Sequence, residues 1–397
     1  MKLHFSPEVE AFRQEFLDWL AENRPTQEEM DADPAVSSAH APEWARRWTR
    51  RMFDAGWLVP GWPPERGGRD AGAVETLVYL EELTRAGVPR TTNPQGLGII
   101  APSILDYGTE EQIRDYAMPI LRGERTACLG MSEPGAGSDL ASLSTRAVRD
   151  GEHFVVNGQK VWTSGANYAE VCFLFCRTDP DAPKHKGISI FLVDMDTPGI
   201  TVRPLPEIID PEHPDLNEVF FTDVLVPAEN LVGQLNNGWA MASGSLAHER
   251  SMVWLNGVMT LESLLDELMH EAPALLGVLP EPERAVATDH LMRVYTDVQA
   301  ARCLGYRGFA KFVRGGTAPE QALMKAFASE TQRELALVAA EIEGARGVDV
   351  SPSGSGRYDA GTWIERYWRA YAGTISAGSS EIQRNIISER VLGLPRA

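Results

Sequence analysis

The sequence predicts an α+β fold in which a β domain separates two helical domains. Apolar residues recur at helical spacing up to about residue 125, alternate at a spacing of two between about 126 and 235, and return to helical spacing from 236 to 397. A chain of 397 residues is long enough for two or three domains. We therefore predict a helical domain at 1–125, an antiparallel β domain at 126–235 and a helical bundle at 236–397.

The N-terminal domain opens with a helix-start signal. Ser6 and Pro7 suit an N-cap and a first helical position, and apolar residues follow at helical spacing. A polar linker with Pro25 and Pro34 comes next, and the aromatic, Gly/Pro-rich segment 56–68 is expected to be an ordered loop that packs helices. Further helices are expected at about 42–55, 73–86, 93–107 and from a Thr109 cap onward.

The middle domain contains runs typical of strands, separated by turn residues. These runs include VCFLFC, ISIFLVDM and EVFFTDVLVP, and shorter strands are expected at 143–148 and 153–156. A small barrel or sandwich is expected. No G-x-G-x-x-G opens a helix, and G-x-x-x-x-G-K-[ST], H-E-x-x-H and G-x-S-x-G are absent from the sequence, which disfavours a Rossmann site, a kinase, a zinc protease and a hydrolase.

The C-terminal third returns to helical spacing. Chain breaks are expected around Pro273, Pro280 and Pro282, and a Gly/Ser-rich loop is expected at 350–356. Helices are expected at about 238–269, 284–314 and 319–342, followed by a last helical pair that ends near Leu392.

Composition excludes several classes of partner. The net charge of −19 disfavours nucleic acid and anionic membranes, although local basic residues could still receive an anionic substrate. The N-terminus lacks the apolar region of a signal peptide, and no apolar run approaches the length of a membrane span. The four cysteines show neither a C-x-x-C pair nor zinc spacing, so buried reduced thiols, no metal site and a cytoplasmic location are expected.

The segment from Met131 to Asn167 carries the strongest functional signal. It begins with the Gly-rich turn SEPGAGSD and ends in KVWTSGAN. Gly and Pro at a strand end let backbone N–H groups approach a ligand closely, and the following Trp and hydroxyl residues could line the same ligand. The residues alone are equally compatible with a β-turn and a hairpin that buries a core Trp.

These two motifs resemble the signature of the acyl-CoA dehydrogenase family, in which they hold a flavin ring. The likeness continues through nearly the whole chain and includes the order helical domain, β domain, helical bundle. It implies an antiparallel β-barrel, a C-terminal four-helix bundle and FAD as cofactor. Family members remove a proton from Cα of an acyl-CoA thioester and pass a hydride from Cβ to flavin N5, which gives the trans-2-enoyl-CoA.

Glu249 is the predicted catalytic base. On a helix it shares a largely apolar stripe with Leu246, Val253 and Asn256, where desolvation would disfavour its charged form. An exposed Glu paired with Arg250 or Arg293 is the alternative. Most of the family places its glutamate at the position of Ala377 here. A minority, including the isovaleryl-CoA type, places it just before an arginine on the helix after the β domain, which Glu249-Arg250 matches.

The resemblance also assigns residues to the flavin ring. It implies that Met131 and Ser132 lie near the ring, that Trp162 lies against it, and that Thr163 and Ser164 lie near O4 and N5.

Other residues are assigned to the rest of the cofactor and to the substrate. Gly137 belongs to the cofactor-binding turn, and Ser138 is expected near the pyrophosphate or the CoA entrance. Ser138 and Arg250 are the expected substrate contacts. The positions expected to touch the nucleotide half are Glu341, Gly344, Ser379 and Glu381. Ordering of the terminal helix is an open alternative for the last two.

Two departures from the family pattern keep other functions open. The Arg-x-x-Phe-Gly segment that usually meets a neighbouring subunit's FAD is not recognisable between 260 and 295, and EIEGARG replaces Gln-x-x-Gly-Gly-x-Gly. A flavin-dependent oxidase or monooxygenase on the same fold is one alternative, and a non-catalytic subunit of a heterotetramer is another. The dehydrogenase hypothesis implies electron-transferring flavoprotein as acceptor, a homotetramer or a mixed tetramer, and a role in β-oxidation of fatty acids or steroid side chains.

Overall fold

A computed structural model describes residues 5–314, 320–348 and 361–395; the side chains of 242–256, 320–322 and 348 lie outside the described part. The described residues divide into two compact units. The β unit holds Glu15–Gly72 and Pro89–Glu249, and the helical unit holds the residues up to Gln14, Ala73–Val88 and those from Arg250 onward.

Short helices fill the N-terminal third. They are α1 (Pro7–Asn23), α2 (Gln27–Ala32), α3 (Glu43–Asp54), α4 (Ala73–Arg85), α5 (Ala101–Tyr107), α6 (Glu110–Gln112) and α7 (Met118–Leu121). The Thr109 cap is confirmed, because Thr109 and Gln112 form a reciprocal capping box. The expected linker is partly wrong, since α2 lies within it and begins with a second capping box between Thr26 and Glu29. The helix expected at 93–107 begins with a π-helical turn, Gly96–Ile100.

The loop at 56–68 is ordered, as predicted. Trp57 is buried, and its ring centroid lies 4.9 Å from that of Phe16 in α1. A Cβ added at Gly68 would lie 1.9 Å from the Trp62 carbonyl oxygen, so only glycine fits this close approach of two backbone segments.

An eight-stranded sheet forms the core of the β unit. Its strands are β1 (Ala127–Gly130), β2 (Arg146–Asp150), β3 (His153–Lys160), β4 (Val171–Arg177), β5 (Ile188–Asp194), β6 (Ile200–Pro204), β7 (Asn217–Pro227) and β8 (Leu231–Val232). Pairing runs in the order β6-β7-β3-β2-β4-β5-β8, and β1 pairs with β4. The sheet is mainly antiparallel, but β1 and β4 pair in parallel, which the sequence analysis missed. The long connection between them, which contains β2 and β3, makes a parallel crossover possible.

The strand expected at 143–148 is wrong in its boundaries. A 3-10 turn occupies Leu140–Ser142, and the strand begins only at Arg146. The strand predicted for VCFLFC is confirmed as β4, and Cys172, Leu174 and Cys176 belong to one hydrophobic cluster. The prediction that all four cysteines are buried is wrong, because Cys303 is exposed on a C-terminal helix.

Long helices form the C-terminal part. They are α8 (Gly238–Gly277), α9 (Glu281–Val313), α10 (Glu320–Glu343), α11 (Trp363–Ile375) and α12 (Ser380–Ile386), with a 3-10 turn at Gly344–Val348 and a π-helical turn at Ile387–Val391. The break expected at Pro273 is wrong, because Pro273 lies inside α8. Its neighbours Leu268 and Ala272 are buried, and their packing offsets the one helical hydrogen bond that proline removes. The loop expected at 350–356 lies outside the described residues.

Within the described residues, none of the helices combines the length and the hydrophobicity needed to cross a bilayer.

Candidate active site

The Gly-rich turn and the segment after β3 lie side by side in the β unit. Met131 and Ser132 follow β1 directly, and Trp162 lies just beyond the end of β3. The Val161 N–H donates to the Ser132 carbonyl at 2.9 Å, and the Lys160 ammonium donates to the Met131 carbonyl at 3.0 Å. These bonds make neighbours of the two segments assigned to the flavin ring, whereas the contact with the ring itself stays a prediction.

Trp162 projects from the surface in a backbone conformation that few non-glycine residues adopt. Its φ is +60°, in the left-handed region, and the residue is 61% exposed. Such a conformation costs free energy and persists only where its surroundings enforce it. The Val161–Ser132 bond fixes one side, and a 3.0 Å bond from the Thr163 N–H to the Asn217 carbonyl fixes the other. The alternative of a core Trp is therefore wrong, and the indole is free to cover a planar ligand.

The next residue presents a buried hydroxyl without a partner. Thr163 is 1% exposed, and its Oγ1 has no hydrogen-bond partner among the described residues. Leaving a buried polar atom unpaired costs about 1–3 kcal/mol, so such an atom in a native protein is expected to bond to a ligand or to an ordered water. An aromatic wall beside an unpaired hydroxyl fits a flavin, which has a flat ring and polar atoms along its edge.

A buried ion pair, which the sequence analysis missed, joins the same two segments. The Lys160 ammonium lies 2.8 Å from Oε1 of Glu133, and both side chains are almost fully buried. Ser144 donates to the Glu133 carboxylate through its N–H at 2.6 Å and its hydroxyl at 2.8 Å, and the Thr145 N–H donates at 2.8 Å. The pair therefore fixes the Gly-rich turn to the last residue of β3.

The electrostatics of this pair favour the charged carboxylate. Burial opposes ionisation of Glu133, but Lys160 and the donors from Ser144 and Thr145 outweigh it and lower its pKa to about 2. Burial also lowers the pKa of Lys160, against the attraction of Glu133. Because four donors converge on one carboxylate, we treat the pair as ionised at neutral pH. The sequence does contain a signal for this ion pair: Lys160 lies an even number of residues after Phe154 and Val156, so the alternation of a strand places it on the same buried face.

This pair predicts a pH dependence of stability. On folding, the pKa of Glu133 falls from an ordinary 4.5 to about 2. The stability that the ionised carboxylate adds to the folded protein is therefore fully present above pH 4.5 and is lost as the pH falls towards 2. Linkage gives a loss of about 2 kcal/mol of unfolding free energy between pH 5 and pH 3. We expect Glu133→Gln to remove this part of the acid sensitivity in urea unfolding, whereas Glu65→Gln, at an exposed position, should retain it. Equal losses in the wild type and Glu133→Gln would contradict the assignment.

The tip of the Gly-rich turn is open. Gly137 and Ser138 are exposed, and a Cβ added at Gly137 would meet nothing within 4 Å. The adjacent Asp139 bonds to Lys184 and to the Ser142 hydroxyl. The contacts of Gly137 and Ser138 with cofactor or substrate stay predictions.

Two of the residues assigned to the nucleotide half order the last helix. Ser379 is the N-cap of α12, and its hydroxyl accepts from the Ile382 N–H at 3.4 Å. Glu381 lies in the first turn, where a carboxylate suits the helix dipole, and its exposed side chain lies 3.6 Å from Arg384. These contacts supply the alternative structural role, and a nucleotide contact by either residue stays a prediction.

The end of α10 is rich in carboxylates. Glu341 Oε2 lies 3.7 Å from His290 Nδ1, and Gly344 ends the helix with φ +63°. Burial, together with nearby Glu271, raises the pKa of Glu343, although Arg346 opposes this shift. Negative charge repels a pyrophosphate, so this end of the helix does not by itself fit the nucleotide half of FAD.

The predicted base is only partly described. Glu249 and Arg250 lie in α8, but their side chains are outside the described part. Arg293, one alternative partner of Glu249, bonds to Asp289 at 2.8 Å. Ala377, at the position of the usual family glutamate, is exposed and has φ +51°. The role of Glu249 therefore stays a prediction that rests on the resemblance.

Comparison with known proteins covers nearly the whole chain. The sequence matches the family models for the acyl-CoA dehydrogenase N-terminal domain over residues 6–124, the middle domain over 128–224 and the C-terminal domain over 236–392. Acyl-CoA dehydrogenase IpdE1 of Mycobacterium tuberculosis is 35% identical over 397 residues, which covers 98% of each chain. Acyl-CoA dehydrogenase FadE26 of the same organism is 33% identical over the full length of both chains.

Solved structures agree with these matches. The structure described as the Tcur3481-Tcur3483 steroid ACAD superposes with a TM-score of 0.83 at 32% identity and covers all of both chains. The ChsE4-ChsE5 complex from Mycobacterium tuberculosis superposes with a TM-score of 0.79 at 30% identity, again over all of both chains. The predicted fold class, a helical N-terminal domain, a middle β domain and a helical C-terminal domain, is confirmed, and the chain belongs to the acyl-CoA dehydrogenase family of flavin-dependent oxidoreductases.

Proposed function

We propose that this acyl-CoA dehydrogenase uses FAD to convert a bulky acyl-CoA thioester to the trans-2-enoyl-CoA, with Glu249 as the base. The observation that carries the proposal is the turn that places the exposed Trp162 beside the buried, unpartnered Thr163 hydroxyl. A planar ligand with polar edge atoms satisfies both residues. Flavin meets that description and supplies the redox chemistry that α,β-dehydrogenation requires.

Some residues of this chain would hold the flavin ring, and another would accept the substrate's α-proton. FAD, when bound, would supply the acceptor for the hydride from Cβ of the substrate. Trp162 would cover the ring, and the hydroxyls of Thr163 and Ser164 would bond to its polar edge. Glu249 would take the proton from Cα, on a helix stripe whose apolar neighbours in sequence disfavour the charged carboxylate and thereby favour proton uptake.

A solved relative supports the proposed substrate class. This relative is described as a steroid ACAD. We propose that this chain also acts on an acyl-CoA whose acyl group is the side chain of a steroid. Gly96, in the π-helical turn before α5, serves packing and does not provide space for a bulky substrate. A Cβ there would lie 2.0 Å from Asn93 Oδ1, an oxygen that accepts a 2.9 Å bond from the Ala127 N–H.

An anaerobic titration tests the proposal. The purified protein should show the absorbance of oxidised flavin, and stepwise addition of short, branched, long or steroid acyl-CoAs should bleach it with one class. We expect bleaching by the steroid acyl-CoAs, because hydride transfer to flavin removes its visible absorbance band. A flavin that every thioester leaves oxidised, but that air reoxidises quickly after chemical reduction, would support the oxidase or monooxygenase alternative instead.

We further propose that the protein assembles as a tetramer, with a related subunit as one possible second component. The carboxylates around Glu341 and Glu343 oppose the FAD pyrophosphate, so groups from a neighbouring subunit would have to compensate. A relative is described as the ChsE4-ChsE5 complex. Native mass spectrometry with flavin quantification tests this. One FAD per chain in a homotetramer would exclude both the mixed assembly and a non-catalytic subunit. Electron-transferring flavoprotein is the proposed acceptor.

A further inference from the structure

Asn217 holds the residue that carries the unpaired hydroxyl. It is the first residue of β7 and is fully buried. Its backbone carbonyl accepts from the Thr163 N–H at 3.0 Å, and its side-chain amide nitrogen donates to the Thr163 carbonyl at 3.1 Å. One residue, 54 positions away in sequence, thus fixes both backbone polar groups of Thr163.

Only the donor end of an amide suits this position. Besides the Thr163 carbonyl, the Asn217 amide nitrogen lies 2.8 Å from the Asp215 carbonyl oxygen and 3.2 Å from Asn167 Oδ1. The amide oxygen is buried and has no partner within the part of the chain that the structure describes. Turning the amide over, or replacing it with a carboxylate, would place an oxygen against three oxygens. The orientation of Asn217 is therefore set by its surroundings.

The hydrogen bonds between Asn217 and Thr163 determine which polar groups the turn presents to a ligand. The peptide bond between Thr163 and Ser164 is trans, as are all those described, so its C=O and N–H point in opposite directions. Because the Thr163 carbonyl is held at Asn217, the Ser164 N–H is directed away from Asn217. Threonine is also restricted at χ1, so a fixed backbone leaves its hydroxyl few positions.

Asp215, whose carbonyl accepts from the Asn217 amide, is itself buried. The Asp215 carboxylate is 5% exposed and accepts from the Ser37 hydroxyl at 2.6 Å and the Ser38 N–H at 2.8 Å. The Gly165 N–H donates to the Asp215 carbonyl at 2.7 Å. The turn is thereby bonded to a loop of the N-terminal segment, and a bonded, buried support can hold a binding group within the narrow tolerance that catalysis needs.

We propose that Asn217 is a positioning residue for flavin binding. It orients the Thr163 hydroxyl and the Ser164 N–H towards the polar edge of the flavin ring. It acts through Thr163 and contacts neither the ring nor the substrate. The proposal rests on the proposed function, since it requires that the turn hold the flavin.

The test compares FAD affinity and the visible spectrum of bound flavin in Asn217→Asp, Thr163→Val and the double variant. Leaving the Thr163 carbonyl without its donor is expected to weaken FAD binding roughly tenfold or more in Asn217→Asp and to shift the flavin absorbance band. If Asn217 acts through Thr163, the two losses will not add in the double variant. A role limited to fold stability would lower the thermal midpoint and give additive losses without a spectral shift.

Asn157→Ala is the matched control. Asn157, in β3, is bonded to β7 at an exposed position: its amide nitrogen donates to Asp223 Oδ1 at 3.0 Å, and its amide oxygen accepts from the Asp223 N–H at 3.0 Å. Its loss should leave FAD affinity unchanged. Asn217→Ser, which keeps a short donor, replaces Asn217→Asp if the latter does not fold. Wild-type affinity in Thr163→Val overturns the proposal whatever the other variants show. A wild-type protein that binds no FAD would instead refute the proposed function.

Discussion

Replacing Glu249 with glutamine is expected to slow reduction of the bound flavin by an acyl-CoA roughly 10²- to 10⁴-fold, the range typical for loss of a general base. The carboxamide has nearly the same size as the carboxylate but cannot accept the α-proton. Flavin content should stay at the wild-type level, because the substitution leaves Trp162 and Thr163 in place. Stopped-flow absorbance under anaerobic conditions measures the rate, and the ratio of flavin to protein absorbance measures occupancy.

Glu262→Gln is the matched control for this variant. Glu262 lies on the same helix, α8, and its Oε1 is 2.9 Å from Arg302 Nε, so the substitution removes a half-buried carboxylate without touching the predicted base. Its reduction rate should stay within about twofold of the wild type, since no transition-state interaction is lost. Reduction of Glu249→Gln at the wild-type rate would remove Glu249 from the mechanism and require a base elsewhere.

Replacing Lys160 with methionine is expected to lower the free energy of unfolding by about 3–5 kcal/mol. The substitution leaves the Glu133 carboxylate buried without its cation, and removal of one partner of a buried pair exposes the full cost of that charge. Urea unfolding measures the loss. Because the pair fixes the Gly-rich turn to β3, we also expect weaker FAD binding, which a fluorescence titration would detect.

Two further variants separate the ion pair from general effects of the substitution. The double variant Glu133→Gln/Lys160→Met should recover part of the lost stability, since it no longer buries an unpaired charge. Lys184→Met is the exposed control. Lys184 pairs with Asp139 at the surface, with 49% and 62% of the two side chains exposed, so its loss should cost about 1 kcal/mol or less. A cost for Lys160→Met as small as this would contradict the structural role of the pair.

Local signals in the sequence predicted local structure well. The capping box at Thr109 and the strand at VCFLFC each depend on residues within one turn or one strand. Predictions failed where distant packing overrides a local preference. Pro273 remains helical because buried neighbours stabilise the turns around it, and β1 pairs in parallel with a strand about 40 residues further along the chain.

The sequence by itself determined the order of helical and β domains, the family, and the two motifs that carry the candidate site. Periodicity and motif spacing are properties of neighbouring residues, so they can be read without a structure. Only the tertiary structure decided that Trp162 is exposed at positive φ, that the Thr163 hydroxyl is buried without a partner, and that Asn217 holds it. Glu133 and Lys160 are 27 residues apart, and Thr163 and Asn217 are 54 apart. Hydrogen bonds act over about 3 Å in space, and the folded backbone alone brings such distant residues within that range.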